Sequence, residues 1–245
     1  MTTKEKVKAL WQLCFDDSEE FVEMYFRLRY KNEINVTIES GDEVISALQM
    51  IPYPMTFCGN TVQTSYVSGA CTHPDFRGNG VMRELLSQAF ARMLRNGTHF
   101  STLIPAEPWL FDYYARMGYA PVFRYSTREF TVPEFIPSKE ITVTAEINCQ
   151  EEVYQYLNIV YRGEKQIVIN ELFAETKDAE HSLLHHIKQH TGCKEMLQLL
   201  PPDSSLTLSP LGMARIINAK EVMQLYASAF PEDEMQLEVL DKQLS

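Results

Sequence analysis

The chain has 245 residues, 45% of them hydrophobic and 22% charged, with a formal net charge of −11 and five cysteines. This is the composition of an ordinary globular chain long enough for one large domain or two, and no apolar run approaches the ~18 to 20 residues needed to span a bilayer. The acidity argues against a nucleic-acid partner, and Cys14, Cys58, Cys71, Cys149 and Cys193, odd in number and never spaced C-x-x-C, argue against a disulfide framework or a thiolate zinc site.

The opening "MTTKEKVKALWQLCF" alternates lysine with apolar residues and lacks a cleavage site, so it does not read as a secretory signal, and the expected compartment is the cytoplasm. Helical spacing predicts two amphipathic helices, over residues 4–14 with Val7, Leu10, Trp11 and Cys14 inward, and over 19–29 with Phe21, Met24, Tyr25 and Leu28 inward. The β-rich runs "INVTIES", "EVISALQMI", "MTFCG" and "NTVQTSYVSGACT", separated by "SGDE", "PYP" and "GN", predict an antiparallel meander.

From Val81 the apolar period changes to that of a helix, which "NG" at Asn96 and Gly97 closes. A short strand, "FSTLIP", follows. "PWLFDYYARM" then predicts a helix with Pro108 in its first turn and Gly118 as its C-cap, before the β-like "YAPVFRYSTREFTV".

Between strand and helix stands "HPDFRGNGVM", His73 to Met82. A helix N-terminus presents N–H groups without internal partners at the positive end of its dipole, and glycine lets an anion approach the backbone closely. Gly78 and Gly80, with Arg77 at the loop's mouth, therefore predict a pyrophosphate cradle. The loop is neither a P-loop nor the dinucleotide fingerprint. Local charge agrees: residues 1–70, 71–130 and 131–245 carry −4, +2 and −9, so the loop lies in the one segment that escapes the acidity.

Beyond a proline-punctuated linker, "TVPEFIPSK", the run "IVYRGEKQIVINELFAE", "KDAEHSLLHHIKQHTG", "CKEMLQLLPP" partly repeats the first lobe. Too few residues precede Ile159 for a whole lobe, so either the repeat is trimmed or a segment near "YLNIVYRG" is absent from the sequence, the second being favoured. The run "LSPLGMARIINAKEVMQLYA" reads as a strand and helix opening a further domain. His181 and His185, or His186 and His190, have helical chelating spacing, but without a third ligand they read as a solvated face, and no metal is expected.

The element order, the glycine loop and "FDYYARMGY" together resemble the GNAT superfamily of acetyl-CoA-dependent N-acetyltransferases, whose loop signature is [QR]-x-x-G-x-[GA]. Asp75 departs from its first position, which leaves a cradle of backbone N–H groups intact. The resemblance implies an α/β GNAT fold, a mixed, mostly antiparallel sheet with flanking helices, followed by a partial second GNAT-like lobe. It also implies acetyl-CoA as co-substrate, held by Arg77, Gly78, Asn79, Gly80, Val81 and Met82 at its pyrophosphate and by the strand around Ala70, Cys71 and Thr72 at its acyl end.

The incomplete second lobe and the "LGMAR" start make the chain similar to the Eis-like (enhanced intracellular survival) acetyltransferases. Those combine a catalytic lobe, a degenerate lobe and a sterol-carrier-like domain, implying here domains 1–130, 131–205 and a truncated 206–245. Where the second lobe would carry a cradle it reads "AETKDAEHS", with Glu175, Asp178 and Glu180 and no glycine, so one coenzyme site per chain is expected. Tyr114, four residues before Gly118, takes the family's general-acid position, with Tyr113 as fallback. Glu107 and His73 are weak candidates for the base, since Eis-like enzymes use the chain's C-terminal carboxylate. Cys71 lies too far into its strand for a ping-pong nucleophile and reads as a small buried residue.

The expected reaction is transfer of the acetyl group to a primary amine of a small cationic or peptide substrate by direct attack. The alternatives are a non-catalytic acyl-CoA-binding or sensing module, and a structural partner protein acting through its acidic half. No membrane or nucleic-acid partner is expected, and a homo-oligomer is compatible with the sequence.

Overall fold

A computed structural model of the chain describes residues 1–131, 155–162, 166–174, 176–192 and 195–233. Most of the expected linker, Cys149, Glu175 and Cys193 lie outside the described residues. The chain divides into two compact units, Met1–Val122 with Gly212–Ser245, and Phe123–Leu211.

In the first unit α1 (Thr3–Cys14) and α2 (Glu19–Leu28) precede β1 (Asn35–Ser40), β2 (Glu43–Phe57) and β3 (Asn60–Thr72). Thr2 and Glu5 form a reciprocal capping box that starts α1, and Ser18 caps α2. α1 buries Val7, Leu10 and Trp11 as expected. Of the expected face of α2 only Tyr25 packs on the core, its ring 4.7 Å from that of Trp11; Val22 and Phe26, each 1% exposed, enter the core, while Phe21, Met24 and Leu28 are 40%, 44% and 64% exposed. Both sets obey helical spacing, and the sheet selects the branched valine and the phenylalanine that meet Trp11.

β2 runs unbroken through Pro52 and Pro54, where the sequence suggests two strands. β1 pairs β2 only from Glu43 to Gln49, so beyond that point, among the described residues, that edge of β2 has no partner strand and missing N–H groups cost little. Phe57 and Asn60 close the β2–β3 hairpin around Cys58 and Gly59, both at positive φ as a two-residue turn requires.

α3 (Val81–Arg95), β4 (Phe100–Leu103) and α4 (Trp109–Ala115) follow. β3 and β4 are parallel, joined through α3, and pair only from Thr64–Phe100 to Tyr66–Thr102. Leu85, Leu86, Ala89 and Met93 of α3 pack on Leu48, Met50 and Val67 of the sheet, with Tyr114 and Tyr119.

The far edge of β4 is filled by β9 (Leu208–Ile216), antiparallel with Phe100 opposite Ile216, and Val222 of α6 (Ala219–Ala229) packs on Val62 and Phe100. Residues 208–229, expected to open a further domain at 206, thus complete the first sheet. Pairing satisfies backbone groups that β4 would otherwise leave at an open edge. The strand was misplaced because its partner is so distant in sequence.

The second unit's sheet has the order β5 (Ala120–Thr131), β8 (Glu195–Leu200), β7 (Gln166–Ala174), β6 (Gln155–Arg162). β6 and β7 form an antiparallel hairpin, β7 and β8 are parallel, and α5 (Lys177–Thr191) connects them. This is the β2–β3–α3–β4 arrangement again, as the repeat predicts. Asn158 and Ile159, near which the sequence length suggests an absent segment, are consecutive in β6 and pair with Glu171 and Ile169, so the extra residue of the bulge is Asn170 of β7. Ile169, Leu184, Ile187 and Met196 form its core.

Candidate active site

Past Tyr66 the β3–β4 ladder stops, and a cavity of about 540 Å³ lies against the remaining end of β3. One wall is β3, where Ala47 and Gln49 of β2 oppose Cys71 and Ser68, so β3 carries one extra residue at Gly69–Ala70. A bulge turns backbone groups out of the ladder and re-aims the side chains beyond it. Gly69 has φ +59°, and a Cβ there would lie within 2.8 Å of Trp11 Cε3 and Cη2. An isolated glycine in a strand signals such a bulge, and this signal went unused in the sequence reading.

The second wall is the start of α3. Gly80 is its N-cap at φ 79° with no capping side chain, and Gly78 has the same φ. The first intrahelical bond runs from Glu84 N–H to the Gly80 carbonyl, so Val81, Met82 and Arg83 present N–H groups that the helix itself cannot use. Of the expected coenzyme residues, Ala70, Cys71, Thr72 and Arg77 line the cavity, as do Gly78, Gly80, Val81 and Met82; Asn79 does not. Arg77 is anchored, its Nε donating to the Thr72 carbonyl at 3.0 Å with Nη2 3.8 Å from Cys14 Sγ. Arg83, which the sequence reading missed, adds a second cation in the helix's first turn. A cation is disfavoured there by the helix dipole unless an anion joins it.

The third wall is α4. Tyr119 N–H reaches the Tyr114 carbonyl at 3.2 Å and Gly118 N–H the Ala115 carbonyl at 3.0 Å, with Gly118 at φ +82°. This is a Schellman end, and it fixes Tyr114 at the last turn. Arg215 of β9 donates to the Met117 carbonyl and stands 4.5 Å over the Phe90 ring. Tyr113 and Tyr114 both line the cavity, and Tyr114 is 8% exposed. Burial, reinforced by Tyr113, Tyr66 and Cys71, pushes the Tyr114 phenol up to about 12.

Neither expected base is part of this wall. Glu107 is exposed, its carbonyl accepting from Leu110 N–H at 3.0 Å. His73 Nδ1 accepts from Asp75 N–H at 3.2 Å, capping the turn before the loop, and the ring faces a separate hollow beside α1. Among the described residues, those lining the cavity include no carboxylate and no imidazole.

Cys14 and Phe15 at the end of α1 were also missed, because nothing local marks a helix end as a cavity wall. Protonated, Cys14 Sγ donates to the Thr72 carbonyl at 3.5 Å. Its ionised form is favoured by a hydrogen bond from the Cys71 thiol and by Arg77, which hold it below the usual thiol range. The same hydrogen bond, with burial, pushes the Cys71 thiol up.

The position in the second unit that corresponds to the cradle has Thr176 as N-cap, its side chain accepting from Ala179 N–H at 3.1 Å, with Asp178 and Glu180 in the first turn. The N-terminus is capped and acidic, unlike that of α3. On α5, His185 Nε2 and Gln189 Nε2 are 2.9 Å apart, and no group of three metal-ligating side chains occurs among the described residues. No helix among the described residues is long and apolar enough to cross a membrane.

Residues 2–122 match the family described as acetyltransferase (GNAT) domain. No curated protein matches the sequence. The fold is similar to that of a probable N-acyltransferase from Enterococcus faecalis V583, at 13% identity and TM-score 0.61, covering 87% of this chain and 70% of that one. A GCN5-related N-acetyltransferase from Kribbella flavida gives 16% identity and TM-score 0.60, covering 88% and 69%. Eis1 from Mycobacterium abscessus gives 11% identity and TM-score 0.58, covering 90% and 72%. The likeness in fold thus extends into the second unit. With the glycine-opened helix, the bulged strand and the tyrosine helix around one cavity, residues 2–122 are a GNAT acetyltransferase domain.

Proposed function

We propose that this chain transfers the acetyl group of acetyl-CoA to a primary amine by direct attack. The observation that carries the reading is one cavity in which the uncapped, glycine-opened end of α3 and the Tyr114 phenol both take part. The residues fit the coenzyme: N–H groups from Gly78 to Met82, with Arg77 and Arg83, suit a pyrophosphate, and the bulged backbone at Ala70 to Thr72 suits the acyl arm. Bound there, acetyl-CoA supplies a thioester carbonyl as electrophile.

The chain's own contribution is acid catalysis. A departing thiolate requires a proton, and a phenol held protonated by burial is a donor that survives alkaline conditions. The acceptor amine must arrive neutral or lose its proton to water, because the cavity lining has no side-chain base. We place the reaction in the cytoplasm, with one coenzyme site per chain and an amine or peptide as the partner molecule.

The absence of a carboxylate or imidazole from that lining favours one rival, a module that binds acyl-CoA without turning it over. Tyr114→Phe separates the two. Loss of the acid is expected to lower kcat about a hundredfold with any accepted amine while acetyl-CoA affinity by calorimetry changes less than twofold. Equal turnover in the variant overturns the role of Tyr114, and coenzyme binding without turnover of any amine supports the rival.

A further inference from the structure

A second cavity, of about 330 Å³, lies on the other side of Ser68, between α2 and strands β2 and β3. Tyr66 and Ser68 supply its strand wall, and the Tyr25 hydroxyl meets Ser68 Oγ at 3.0 Å. Ser68 is followed directly by the Gly69–Ala70 bulge, and Ala70 and Cys71 line the coenzyme cavity. The two spaces therefore flank the same few residues of β3.

The helical wall is a stripe of α2 of which Phe21, Met24 and Leu28 stay outside the core, while Tyr25 also packs on Trp11. Phe21, Met24, Tyr25 and Leu28 stand at positions i, i+3, i+4 and i+7, one stripe of the helix, and all four line this cavity. Tyr53, 44% exposed and edge-on to Tyr66 at 6.3 Å, completes an aromatic rim. Single exposed apolar residues are ordinary, whereas this many gathered around a concavity mark a surface that something apolar covers. The one charged residue of the lining is Arg29, and neither Asp nor Glu contributes to it among the described residues.

Resting on the acetyltransferase reading, we infer that this cavity receives the acceptor, and that the acceptor is an amino acid or short peptide with an aromatic or branched aliphatic side group and a carboxylate. The stripe on α2 covers the side group, and Arg29 pairs the carboxylate. A polyamine or other polycation finds no counter-charge here and meets Arg29 instead, so of the two acceptor classes expected from sequence the peptide-like one is selected.

The test separates binding from turnover by using a product, N-acetyl-L-phenylalanine, titrated into the full chain by calorimetry with spermidine as comparison. Binding of the product and not of spermidine is expected. Met24→Glu, at a half-exposed position outside the core, is expected to weaken the product at least tenfold, and Arg29→Gln to weaken it several-fold while leaving N-acetyl-L-phenylalanine amide unaffected. Acetyl-CoA affinity is expected to be unchanged in both. Preferred binding of spermidine, or product binding indifferent to Met24→Glu, overturns the assignment. Failure of acetyl-CoA to bind or turn over instead strikes the acetyltransferase reading, and the product titration still judges the cavity.

Discussion

Gly69→Ala tests both the bulge and its contact with α1. At φ +59° an L-residue carries a backbone strain of about 1 kcal/mol. The added Cβ also overlaps the Trp11 ring, which is 6% exposed, hydrogen-bonded through Nε1 to Asp17 at 2.8 Å, and packed on Phe15, Tyr25 and Phe26. Overpacking such a ring costs about 1 to 3 kcal/mol more, for a total of about 3 kcal/mol. With a urea m-value of about 2 kcal/mol/M, the midpoint falls by about 1.5 M. The chain's two tryptophans, Trp11 and Trp109, both lie in the first unit, so fluorescence excited selectively in tryptophan follows that unit alone. Gly59→Ala is the control, because its φ is +75° but a Cβ there meets nothing within 4 Å, and it should lose only the backbone contribution of about 1 kcal/mol. A Gly69→Ala midpoint equal to that of the control refutes the contact with Trp11.

Three further outcomes follow from the site. Iodoacetamide at pH 7 is expected to alkylate Cys14 and spare buried Cys71, with Arg77→Ala slowing the reaction several-fold; the lowered pKa means more thiolate at neutral pH, and a rate that climbs only above pH 8.5, as for a free thiol, contradicts it. Arg215→Met removes the donor at the Met117 carbonyl and the cation over Phe90. It is expected to cost about 1 to 2 kcal/mol in urea unfolding and to lower kcat more than it changes acetyl-CoA affinity, while an unchanged kcat shows that α4 holds Tyr114 without it. Tyr114 is protonated below its raised value of about 12, so only about a thousandth is ionised at pH 9, and kcat is expected to show no alkaline fall up to pH 10 that vanishes in Tyr114→Phe.

Local chemistry was legible in the sequence where one residue type has few uses. Gly78 and Gly80 before an apolar-periodic helix have little other purpose than a positive-φ turn at its N-terminus, and Gly118 after Met117 ends a helix in the same way. Two decisions needed tertiary context. α2 has two apolar stripes of equal spacing, and only the sheet's position selects Val22 and Phe26 for the core, leaving Phe21, Met24 and Leu28 outside. β9 reads as a strand from its own residues, but its partner β4 is found only by folding the chain back across the whole second unit. The cavity walls from α1 were illegible for the same reason, since Cys14 meets Thr72 and Arg77 through space and no motif joins them.

The late arrival of β9 sets an order on how the first unit is made. Phe100 leaves the ribosome well before Ile216, its partner, and at ordinary translation rates the interval is on the order of ten seconds. Throughout that interval β4 keeps one edge unpaired, Phe100 and Val62 lack the cover of Val222, and the Met117 carbonyl lacks Arg215. The nascent first lobe can gather its helices and its β1–β3 meander, but the tyrosine helix is clamped only after the second lobe has been synthesised. The cavity wall that carries Tyr114 thereby gains its last contact from residues translated far downstream of those that line it.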